Sequence, residues 1–109
     1  MTNINQAANL QQSLTPKEIL RLLRRQLPDL VERYEIQYLG VFGSYVHGLA
    51  NSESDLDILV DFDTPPTLFQ FVRLQNELSD LLGVPVDLVM KSSLKPKIGE
   101  QILSEVLQV

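Results

Sequence analysis

The chain has 109 residues, enough for one domain that buries roughly two-thirds of its unfolded surface and too few for a second core. The absence of cysteine excludes disulfides and thiolate metal sites, and a single histidine argues against zinc. Nine Lys and Arg against fourteen Asp and Glu give a formal net charge of -5, the wrong sign for gripping nucleic acid and better suited to a basic protein partner.

No apolar run could span a membrane, and the start of the chain lacks the charged-then-apolar order of a signal peptide. A soluble, cytoplasmic protein is therefore expected. Met1 to Leu14 are rich in Asn, Gln and Ala and predict a loose tail, which leaves residues 15–109 for the domain.

Thr15-Pro16-Lys17-Glu18 has the form of a capping box, with Thr15 as N-cap, Pro16 at the first helical position and Glu18 reaching back. In the helix that follows, Ile19, Leu23, Leu27, Leu30, Val31 and Tyr34 form one apolar stripe. Pro28 falls inside it and predicts a kink or a division. Ile36 to Phe42, rich in β-branched and aromatic residues and ended by Gly43, reads as the first strand.

Leu56 to Phe62 reads as the second strand. Its alternation sends Leu56, Ile58, Val60 and Phe62 to a face that can be buried and Asp55, Asp57 and Asp61 to one that cannot. Thr67 is placed to cap a second helix with Phe71, Leu74, Leu78 and Leu81 or Leu82 on its buried side, and Gly83 to end it. Val86 to Met90 makes a third strand that carries Asp87. Pro96 starts a last helix with Ile98, Ile102, Leu103 and Val106 at helical spacing. The order predicts a small α/β (α+β) domain, a mixed sheet of about three to four strands with helices packed on one face.

Three features carry chemistry. Gly43-Ser44 follows a strand, and a short helix started there would aim free N–H groups and the Ser44 hydroxyl at an incoming phosphate; a plain tight turn explains the same two residues. Asp55 and Asp57 interrupt a strong β run. They read as a solvated strand face or as ligands for Mg²⁺, which takes one or two carboxylates together with substrate phosphates and waters. Asp87, ordinary alone, would complete the set if its strand neighbours the second, binding a second ion or taking a proton from an attacking hydroxyl. The Arg21, Arg24, Arg25 cluster and Lys91, Lys95 and Lys97 read as solvated surface.

Gly43-Ser44, ten intervening residues, Asp55-Leu56-Asp57 and a later Asp87 resemble the signature of the DNA polymerase β-like nucleotidyltransferase superfamily. More narrowly, GSYVHGLANSESDLDILV, the later VDLV and LKPKIGEQIL resemble the minimal MNT-type nucleotidyltransferases, antitoxins paired with HEPN-domain toxins. The resemblance implies that Gly43 and Ser44 grip nucleotide phosphates and that Asp55, Asp57 and Asp87 hold Mg²⁺, two ions in all. It implies ATP as substrate and AMP transfer to a hydroxyl, a tyrosine, of a HEPN-type toxin ribonuclease, with which the chain would form a hetero-oligomer. Close relatives often carry Arg where this chain has His47, so His47 reads either as a weaker phosphate contact or as a plain loop residue. A binding module that neutralises its partner stoichiometrically is the alternative, and a small-molecule or tRNA nucleotidyltransferase would need an acceptor domain for which these residues leave no room.

Overall fold

The computed structural model describes residues 14–109. The expected tail falls outside them except for Leu14, which is half-buried against the core. Helix α1 spans Pro16–Tyr34, and Thr15 caps it by accepting from the Glu18 N–H at 3.2 Å. The capping box is only half made. The Glu18 carboxylate accepts from Arg21 at 2.9 Å instead, one turn along the helix.

Pro28 neither breaks nor divides α1. Pro28 and Arg24 are both exposed, so the carbonyl that the proline leaves without a donor is on the solvent side, where water can take its place. Ile19, Leu23 and Leu30 are buried as the stripe predicts, whereas Val31 is 37% exposed, since a helix edge one residue past the buried row already faces out. The helix ends at Glu35 in the left-handed conformation (φ 55°), whose carbonyl accepts from the Asp63 N–H at 2.8 Å.

Strands β1 (Ile36–Phe42), β2 (Leu56–Phe62), β3 (Val86–Met90) and β4 (Leu107–Gln108) form a mixed sheet in the order β3-β2-β1-β4. The β1–β2 pair is antiparallel, with an irregularity between Ile36 and Tyr38, and β2–β3 is parallel. The parallel pair requires a crossover, supplied by α2 (Leu68–Leu82). A complete Thr67–Gln70 capping box opens α2, and Gly83 at φ 71° closes it. Its buried residues are Leu74, Leu78 and Leu82, with Phe71 and Leu81 packed at the margin.

Together α1 and α2 cover Leu39, Val41, Leu56, Ile58, Val60, Val86 and Leu88, the predicted apolar face. The opposite face departs from expectation at its middle. Leu59, between Asp57 and Asp61, is fully buried, and Asp57 and Asp61 are half-buried. The end of the chain crosses over Gly40, the cross-strand neighbour of Leu59. A 3₁₀ turn at Lys91–Ser93 leads to α3 (Pro96–Glu105), which stops one residue short of Val106. Val106 is extended (φ -66°, ψ 140°), and its Cγ2 lies where a side chain on Gly40 would be, 2.5 Å from that Cβ position. Ile98 and Leu103, expected on the buried stripe of the last helix, are exposed, and Gly99 is buried in their place.

Candidate active site

Gly43 ends β1 with φ 84°, a conformation that favours glycine. A Cβ there would overlap Oδ2 of Asp57, so the Asp57 carboxylate lies directly against the Gly43 backbone. Of the two readings open for the segment after Gly43, the structure has the turn: residues 44–48 are a chain of turns and form no short helix. The Gly43 carbonyl accepts from the Val46 and His47 N–H groups at 3.0 and 3.3 Å, and Ser44 O accepts from the Leu49 N–H at 2.9 Å. Both arrangements leave the first amides free: among the described residues the Ser44 and Tyr45 N–H groups meet no backbone acceptor. Tyr45 itself is buried in the core and fixes the turn from below.

The acids are placed by the sheet. Asp57 is paired in register with Phe42 on one side and with Asp87 on the other, which puts the Asp57 and Asp87 Cα atoms roughly 4.8 Å apart with side chains on one face. Asp55 stands just before β2, exposed, and Asp87 is exposed as well. Burial first, and then the like charges of Asp87 and Asp55, push the Asp57 carboxyl above its usual range. Burial and the Asp55 charge likewise raise the Tyr45 phenol. Asp61, at the other end of the strand, accepts from the Phe62 N–H and plays no part in this cluster.

Among the described residues no three acidic or imidazole groups already converge on a point that would hold an ion unaided. The donor set nevertheless fits a hard cation. The Asp57 carboxyl, raised by burial and by its acidic neighbours, is what a divalent ion would relieve, and Mg²⁺ takes only one or two carboxylates when phosphates and waters complete its shell. Of the predicted residues, Gly43, Asp57 and Asp87 are brought together, Ser44 and Asp55 flank them, and His47 turns elsewhere: its Nε2 donates to Glu105 Oε2 at 3.1 Å. Glu105 had no signal in the sequence, because a lone acid near the end of a helix looks like surface.

A sequence profile described as "Nucleotidyltransferase domain" matches residues 21–108. The chain belongs to the nucleotidyltransferase family. Protein adenylyltransferase MntA of Thermococcus cleftensis is 50% identical to this nucleotidyltransferase over 96 residues, 88% of this chain and 97% of that one. A solved structure described as a minimal nucleotidyltransferase superposes with a TM-score of 0.72 at 40% identity, covering 84% of this chain and 94% of the other. A chain in the complex of tri-AMPylated Shewanella oneidensis HEPN toxin with its MNT antitoxin superposes with a TM-score of 0.55 at 27% identity, covering 89% and 70%. The fold expected of this family, a mixed sheet with helices, is the one observed. Among the described residues no helix is long and apolar enough to cross a membrane.

Proposed function

We propose that this nucleotidyltransferase is an antitoxin that moves AMP from ATP to a tyrosine hydroxyl of a HEPN-type toxin ribonuclease, with Mg²⁺ held by Asp55, Asp57 and Asp87. The observation that carries the reading is the contact of Asp57 with Gly43, which sets a carboxylate against the turn whose Ser44 and Tyr45 amides are unspent. Phosphate oxygens received by those amides and by the Ser44 hydroxyl would stand beside the acids. The identity with an adenylyltransferase and the likeness to a chain of an AMPylated toxin complex support AMP as the group and a HEPN toxin as acceptor.

The chemistry is an in-line displacement at the α-phosphorus of ATP. The toxin hydroxyl oxygen forms a bond to that phosphorus as the bond to the bridging oxygen breaks, and pyrophosphate leaves. Asp87, exposed beside Asp57, takes the hydroxyl proton. Mg²⁺, when bound, neutralises the phosphates and the charge that develops at both ends of the displacement. Asp55, exposed like Asp87, is open to the incoming metal–nucleotide complex, while Asp57 lies against Gly43. The bulk and negative charge of each AMP would block the surface where the toxin must take its RNA.

The test mixes the protein with its toxin, Mg²⁺ and ATP labelled at the α-phosphate and follows intact masses. The toxin is expected to gain whole AMP units, with the transfer rate falling by at least about a thousandfold in Asp57→Asn. Full neutralisation of an unlabelled toxin, unchanged by that substitution, would mean stoichiometric binding.

A further inference from the structure

The last five residues do more than end the chain. Leu107 and Gln108 pair with Val41 and Gly40 on β1, the Val109 N–H donates to Leu39 O at 2.8 Å, and Arg24 Nη2 donates to Gln108 O at 3.1 Å. Val106 fills the notch that Gly40 leaves open. Just before it, Glu105 receives His47, a residue of the turn that carries Gly43 and Ser44. The strand that supports that turn and the turn itself are thus tied to one short segment.

We propose that Glu105 is a positioning residue, which acts through His47 to hold the Gly43–Leu49 turn in its phosphate-receiving shape. The proposal rests on the reading of that turn given above. An unanchored turn on a positive-φ glycine has freedom to lose when phosphate arrives, and anchoring it in advance removes that cost from binding. His47 and Glu105 have side chains 46% and 39% exposed, so their contact adds little to global stability. The local geometry of the turn is where its effect falls.

Two readouts test this, one of which needs no ligand. In the isolated full chain, Glu105→Ala is expected to speed hydrogen exchange several-fold at the Val46, His47 and Leu49 amides, the hydrogen-bonded ones of the turn, while leaving α2 and β2 unchanged. In the transfer assay it is expected to raise KM for ATP roughly three- to fivefold with kcat held, as loss of one hydrogen bond allows. Glu105→Gln, whose amide oxygen still accepts from His47, restores both values, and Glu105→Ala adds nothing in a His47→Ala background. Unchanged exchange in Glu105→Ala, or additive effects of the two alanine substitutions, would overturn the proposal. Faster exchange in a protein whose wild type transfers no AMP would leave the anchor standing and sink the function proposed for the turn.

Discussion

On one face of the sheet Ile58 of β2 and Leu88 of β3 stand side by side, sealed under α1 and α2. One residue earlier, on the other face of the same strands, Asp57 and Asp87 stand side by side with like charge. The backbone is the same, yet the first pair stabilises the fold by leaving water and the second pair opposes it, through desolvation and repulsion that hold the Asp57 carboxyl above its usual range. A chain selected for stability alone would not keep the second pair. Its presence at the end of β1, where only glycine fits, marks the place at which the fold gives up stability for binding.

Ile58→Ala removes a fully buried side chain from the helix-covered face and should cost about 3 kcal/mol in denaturant unfolding. Transfer per folded molecule should stay within about twofold, because the change lies on the face away from the acids. Gly43→Ala should do the reverse. The new methyl would strike Asp57 at a positive φ, lowering transfer by about a hundredfold while costing only about 1–2 kcal/mol of stability. If Gly43→Ala unfolded the protein and left the activity of the folded fraction intact, the glycine would serve the fold and not the site.

The helix-covered face was legible because burial there obeys simple periods. Leu74, Leu78 and Leu82 repeat at helical spacing, Leu56, Ile58 and Val60 at strand spacing, and the positions match the core. The acids were legible for the opposite reason, as charges where a strand should have none. What escaped were contacts between segments far apart in the chain. Two-residue β4 is too short to show a period, and Val106 looked like one more helical apolar residue because nothing local says that it faces Gly40. For the segment after Gly43 the sequence left a short helix and a tight turn both open, because a glycine followed by Ser suits either, and the structure has the turn. Glycine inside β1 was the one available hint that another segment comes close.

The sign of the Asp57 effect gives the most direct test. A carboxyl raised in the folded state contributes stability below its unfolded pKa, and that contribution is lost as pH rises through the unfolded and then the folded value. At neutral pH Asp57 therefore burdens the ligand-free protein. Thermal unfolding at neutral pH should be compared for wild type and Asp57→Asn, with and without Mg²⁺ and ATP. Asp57→Asn should melt higher than wild type when free of ligand, and should lose most of the stabilisation that Mg²⁺ and ATP confer on wild type. A variant that melts no higher, and is raised by Mg²⁺ and ATP as much as wild type, would contradict the claim that this end of the sheet trades stability for a metal–nucleotide complex.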